Sequence, residues 1–196
     1  MESGAKRLVV GLGNPGPRYR ETRHNAGFMV VDRLSERWEV PFAREKFDAV
    51  FGIGTFGQIP VILAKPTTYM NRSGLAVGSL ARFFGIEKGS LLIIHDEIDL
   101  PFGTIKIKEK GGTGGHKGLE SIMETFGSGE FDRLRLGMGR PGPETEVASH
   151  VLGRFREEER KLLDPLWDLA GDAVESILLL GTREAMNRYN NKQVIL

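Results

Sequence analysis

A histidine at the entrance to a helix and a carboxylate at the end of a strand suffice to activate water. This chain offers both, His24 in Thr22-Arg23-His24-Asn25-Ala26-Gly27 and Asp96 in His95-Asp96-Glu97-Ile98-Asp99. A carboxylate that accepts from one imidazole nitrogen fixes the tautomer and makes the other nitrogen more basic, so that it can take a proton from water. Asn14, in a rigid loop after an apolar strand, stands where open α/β sheets bind ligands, and Asn71 stands at a helix start. Spacing leaves other readings open: His24 as a capping residue, the acidic cluster as a turn, or zinc held by His24, His116 and Asp96, although no HExxH spacing supports zinc. There is no cysteine and no serine in a G-x-S-x-G elbow, so a covalent acyl-enzyme has no obvious nucleophile. A hydrolase built on these residues would use water directly.

Two further motifs could hold phosphate. Gly11-Leu12-Gly13-Asn14-Pro15-Gly16 matches G-x-G-x-x-G after a strand, but Pro15 and Pro17 remove amide donors, the helix begins nearer Asn25, and Asp32 falls inside that helix. The dinucleotide fingerprint needs a helix opening inside the motif and an acidic residue after the second strand, so it is poorly met. Lys106 and Lys108 alternate with Ile105 and Ile107, which puts both lysines on one strand face, next to the glycine-rich run Gly111 to Gly118. That pairing suits a phosphate or the end of a polyanion; the plain alternative is an edge strand guarded by lysines. Arg133 and Arg135, also alternating, could join the same surface. The balance of 27 Lys+Arg against 26 Asp+Glu conceals these patches because acidic runs such as Glu157-Glu158-Glu159 offset them.

The elements that must position these groups follow from periodicity. Arg7 to Leu12 and Ser90 to His95 read as buried strands, and Phe131 to Met138 as a third. Phe28, Val31, Leu34 and Trp38 share a helical face over Asn25 to Trp38. Phe47 to Gly54 and Gln58 to Ala64 read as a hairpin; Asn71 caps a helix that Gly85 stops; Gly118 to Phe126 is helical; and Glu157 to Leu180 is the longest helical stretch despite Pro165. The tail after Tyr189 is expected to be loose. Strands interleaved with helices imply an α/β fold, a mixed twisted sheet with helices on both faces and a helical C-terminus, in one domain spanning 1–196. With 196 residues, 40% of them hydrophobic, the chain can bury a real core. The 26 glycines imply tight turns and close backbone approaches. Nothing in it reads as a membrane span, and Met1 to Lys6 lacks the apolar region of a signal peptide.

Five segments in order, GLGNPGPRYRETRHNAGF (11–28), KPTTYMNRSG (65–74), HDEIDLPFG (95–103), GGTGGHKGLESI (111–122) and FDRLRLGMGRP (131–141), resemble bacterial peptidyl-tRNA hydrolase. The resemblance runs from Arg7 to about Tyr189. It implies a monomeric, cytoplasmic, single-domain enzyme with no metal or organic cofactor, which hydrolyses the ester between a peptide and the terminal ribose of tRNA. It makes His24 the base, Asp96 its orienting carboxylate, and Asn14 and Asn71 amides that hold the substrate, with Tyr19, Tyr69 and Met70 lining the cleft. It sets His116 beside the peptide channel, and Lys106, Lys108 and Arg135 against tRNA phosphate, including the 5′ end. Lys117 stands where the family commonly has asparagine; a cation there donates hydrogen bonds but accepts none. A chloroplast relative that acts in intron splicing supplies the other class of function, RNA binding without hydrolysis.

Overall fold

In the computed structural model, which describes residues 5–195, the branched apolar run Arg7–Gly11 forms a central strand, β1. Six more follow: β2 (Arg44–Lys46), β3 (Ala49–Phe56), β4 (Ile59–Pro66), β5 (Leu91–Glu97), β6 (Ile105–Lys108) and β7 (Asp132–Gly137). They make one sheet in the order β2-β3-β4-β1-β5-β7-β6. The middle four run parallel, and antiparallel strands close both sides. The two central parallel strands, β1 and β5, are apolar on both faces along most of their length, as strands sandwiched between helices must be.

Helices α1 (Ala26–Arg37), α2 (Ser73–Phe84), α3 (Lys117–Phe126), α4 (Val147–Val151), α5 (Glu157–Arg160), α6 (Leu163–Leu180) and α7 (Thr182–Tyr189) cover the sheet. One core cluster joins Val9, Ile94 and Leu134 to Val30 and Leu34 of α1 and to Trp167 and Val174 of α6. The other joins Val10, Ile62 and Ile93 to Val77 of α2 and Ile122 of α3. The mixed, doubly covered sheet expected from the interleaved pattern is therefore the observed one. From β1 the chain turns to the β3–β4 side, and from β5 to the β7 side, so a crevice opens between the C-terminal ends of β1 and β5. That is where an open α/β sheet offers a ligand site.

The expected hairpin is present as β3–β4, whereas three other local expectations need correction and a second hairpin was not foreseen. That second hairpin is β2–β3, whose turn residues Phe47 and Asp48 have φ of 59° and 53°. Such a turn normally advertises itself with glycine, and here it does not. Asn71 does not cap α2; it lies in a single 3-10 turn, Met70–Arg72, that leads into the helix, and Arg72 holds the cap position without a side-chain bond. The stretch from Glu157 breaks into α5 and α6, with Pro165 in the first turn of α6, where its missing N–H is no loss. Finally, the segment after Tyr189 runs along the outer edge of β6. Asn190 bonds Ile107 at both N and O (2.6 and 3.3 Å), the Ile105 amide donates to Lys192 O at 3.0 Å, and the Val194 amide donates to Gly103 O at 3.1 Å.

Candidate active site at the crevice

Two glycines bring the catalytic candidates together. Gly27, in the first turn of α1, lies so close to β1 and β5 that a Cβ there would sit 2.3 Å from Ile94 O and 2.5 Å from Leu12 N. Gly11 is equally constrained by Gly27, at 2.1 Å. The Leu12 amide donates to Ile94 O at 2.9 Å, and the Phe28 amide donates to Leu12 O at 3.2 Å, which seats the open end of α1 on the strand loop. The glycine-rich motif thus serves close packing, and no helix opens inside it. His24, in the 3-10 turn before α1, is thereby held over the end of β5.

There Asp96, 2% exposed, is shared by two imidazoles. His24 Nδ1 lies 2.9 Å from both carboxylate oxygens, and His116 Nε2 lies 2.8 Å from Oδ1. The tautomers follow from the donors. His116 is the N-cap of α3, its Nδ1 accepting from the amides of Gly118 (3.1 Å) and Leu119 (3.4 Å), so Nε2 must carry the proton. His24 donates from Nδ1, which leaves Nε2 with a lone pair. Burial pulls the His24 pKa down, but the charge and hydrogen bond of Asp96 outweigh it and hold the pKa above the ordinary 6.5. Burial alone would raise the Asp96 pKa; the two imidazoles reverse this and hold its carboxyl well below the usual range.

His24, Asp96 and His116 also present ligand atoms within 4.8 Å of one another, a set that could face one metal ion. The cap on His116 opposes that use. A metal at Nε2 would need the lone pair there and a proton on Nδ1, where two backbone N–H groups already point.

The three groups line a cleft of about 770 Å³, with Asn14, Tyr69, Met70, Asn71, Thr113 and Lys117 also in its wall. Asn14 is oriented by its neighbours: Oδ1 accepts from the Met70 amide at 2.8 Å, so Nδ2 is the atom left for a substrate. Its backbone is clamped by Asn25, whose side chain bonds both Asn14 N (2.9 Å) and O (3.0 Å). Asn71 and Lys117 are exposed on the rim, and Lys117 pairs with Glu120 at 2.9 Å. Tyr69 is 60% exposed; Tyr19 meets it edge-on at 6.5 Å and stands outside the cleft lining.

Val147, Ala148, Val151 and Leu152, in and just after α4, form the opposite wall. Arg23, next to His24, anchors that wall. Its guanidinium meets Glu159 at 2.6 Å, in an ion pair with both side chains buried, and Arg154 O at 2.8 Å, while its amide donates to Gly153 O. Sequence reading missed Arg23, Glu159 and Asn25.

Lys106, Lys108, Arg133 and Arg135 do share a face, with Lys106 opposite Arg135 and Lys108 opposite Arg133. The arginines differ, however. Arg133 is buried and turned inward, holding the carbonyls of Gly111 (2.5 Å), Gly112 (2.6 Å) and Gly129 (3.1 Å), so it braces the glycine loop and is not a free cation. Arg135 forms a two-point pair with Glu97 at 2.9 and 2.8 Å. The lysines remain the accessible charges.

A doubly covered α/β sheet with an imidazole–carboxylate pair at its switch point defines an acid–base site of the kind that activates water. The chain belongs to the peptidyl-tRNA hydrolase family: the model of that family matches residues 8–195. A peptidyl-tRNA hydrolase of Rhodococcus opacus (strain B4) is 50% identical over 184 residues, covering 93% of this chain and 97% of that protein. The Clostridium novyi (strain NT) peptidyl-tRNA hydrolase is 43% identical over 183 residues, with the same two coverages of 93% and 97%. A crystal structure of the Acinetobacter baumannii peptidyl-tRNA hydrolase superposes with a TM-score of 0.90 at 40% identity, over 97% of each chain.

Proposed function

We propose that this chain hydrolyses the ester joining peptide to tRNA, with water deprotonated by His24 Nε2 while Asp96 holds the opposite nitrogen. The observation that carries the reading is the shared carboxylate: it accepts from His24 Nδ1 at 2.9 Å and leaves Nε2 unbonded to protein among the described residues, in the wall of a 770 Å³ cleft. Attack on the ester carbonyl builds negative charge on oxygen. Asn14 Nδ2, fixed by the Met70 amide, is the donor placed to meet it, and such a donor contributes roughly 3 kcal/mol. Asn71, Tyr69, Met70, His116 and Lys117 border the peptide, and Tyr19 supports Tyr69 from behind. The protein is proposed to act as a cytoplasmic monomer without metal; among the described residues no helix is long and apolar enough to cross a membrane.

The test is single-turnover release of an N-acetyl-aminoacyl group from tRNA with EDTA present. The expected result is cleavage indifferent to EDTA, with a rate that climbs with pH. The base works only when unprotonated, so a His24 pKa held above 6.5 puts the midpoint of the climb above that value. Tight RNA binding without cleavage would replace hydrolysis by the RNA-binding reading.

Lys106, Lys108 and the Glu97-bound Arg135 are assigned to tRNA phosphate, the 5′ end included. Replacing Lys106 and Lys108 together by Ala is expected to raise KM, to flatten the log–log salt dependence by about 1–2, and to leave kcat unchanged. A fall in kcat at constant KM would remove the lysines from substrate binding.

A further inference from the structure

His95, immediately before Asp96 in β5, is 1% exposed and has no part in the proposed chemistry. Its Nδ1 lies 2.7 Å from the main-chain oxygen of Asp96, a carbonyl that can only accept, so Nδ1 carries the proton. Nε2 then bears a lone pair, and among the described residues that atom is buried without a partner. An apolar side chain would fill the same space without an orphaned nitrogen. The ring stands edge-on to His116, centroids 4.9 Å apart at 70°. Around it lie Asp96 and Glu97 from its own strand, His116, Arg133 and Arg135 from β7, and Lys108 from β6.

The strand ladder explains why such a donor is placed here. Carbonyls two residues apart on a strand point to the same side. Ile94 O is taken by the Leu12 amide, just beyond the end of β1 at Gly11, so the next carbonyl on that side, that of Asp96, has outrun its neighbour. The Glu97 carbonyl, on the other side, still accepts from Met138. We infer that His95 is a positioning residue for the shared carboxylate: its Nδ1–H replaces the missing ladder donor to Asp96 O, and its ring backs His116, so that one carboxylate meets both imidazoles. Burial, and His116 beside it, pull the His95 pKa down to about 3, so the ring remains neutral and does not compete with His24 for the Asp96 charge.

This rests on the hydrolase reading for its kinetic arm and stands apart from it in its spectroscopic arm. Asn places an N–H near the Nδ1 position, Gln places it farther out, and Leu fills the volume with no donor. His95→Leu and His95→Gln are expected to lower kcat about 10- to 100-fold with KM within about twofold, and to move the acid limb of kcat/KM to lower pH, because a loosened Asp96 holds the His24 proton less well. His95→Asn should recover most of both. Should the Leu variant fail to fold, the Asn and Gln pair decides. The 15N titration of His24 needs no turnover: it should match wild type in His95→Asn and fall in His95→Gln, even if tRNA cleavage proved absent. An unmoved His24 titration and acid limb in His95→Gln, or an Asn variant no better than Gln, would overturn the assignment.

Discussion

Cleavage by a His24→Ala variant is expected to be about 10²- to 10⁴-fold slower than wild type, the range a positioned general base supplies. Asp96→Asn should be as damaging, about 10⁴-fold in kcat where the loss is of the correct tautomer. His116 must donate from Nε2, because the amides of Gly118 and Leu119 occupy its Nδ1. The single oxygen of Asn would therefore turn to His116, and the NH2 group would face His24 Nδ1, where it finds a donor. His24 could satisfy it only by moving its own proton to Nε2, the nitrogen that has to receive one. KM should change little, because the variant differs from wild type by one oxygen exchanged for nitrogen. Single-turnover rates within tenfold of wild type for either variant would remove the pair from the chemistry.

Gly27→Ala is expected to be among the most disruptive single-methyl changes in the molecule, and it acts directly on the seat of α1. The new carbon would lie 2.3 Å from Ile94 O and 2.5 Å from Leu12 N, and these two are themselves hydrogen-bonded. Backbone locked in a sheet cannot yield as a flexible side chain would, so α1 has to lift, carrying His24 away from Asp96. Overpacking of this kind costs about 3 kcal/mol, which for a chain of this size lowers Tm by roughly 6–12 °C. Gly89→Ala is the control. Its Cβ would meet nothing within 4 Å, and stability should stay within about 0.5 kcal/mol. Urea unfolding of the two variants checks both statements, and similar values for the pair would contradict the account of the helix seat.

Much of the site was legible in the chain because its groups lie at strand ends and helix starts, and those elements announce themselves. The apolar run through Ile93 and Ile94 before His95-Asp96, and the helical stripe after His24, place both partners at one edge of a sheet. What stayed hidden depends on long-range geometry. Arg133 and Arg135 alternate identically, yet only the glycine loop folded over Arg133 separates an internal brace from a surface cation. Arg23 and Glu159 are 136 residues apart, and no local pattern links them. The edge strand β2 is three exposed residues, Arg44-Glu45-Lys46, with no alternation to read. The tail holds to β6 through main-chain bonds and the Asn190 carboxamide, a pairing that hydropathy does not encode.

The capping of α3 by His116 also limits how many protons the site can hold. Three ionisable side chains meet at Asp96, and in the resting arrangement they hold two protons, on His24 Nδ1 and His116 Nε2. A third proton on His116 would have to displace two backbone donors, and one on Asp96 would meet two N–H groups already aimed at its oxygens. In the proposed hydrolysis the proton taken from water then has a single berth, His24 Nε2, and would pass from there to the departing ribose oxygen. A helix end, by occupying one nitrogen of a neighbouring ring, would thereby turn a cluster of three bases into a one-proton relay.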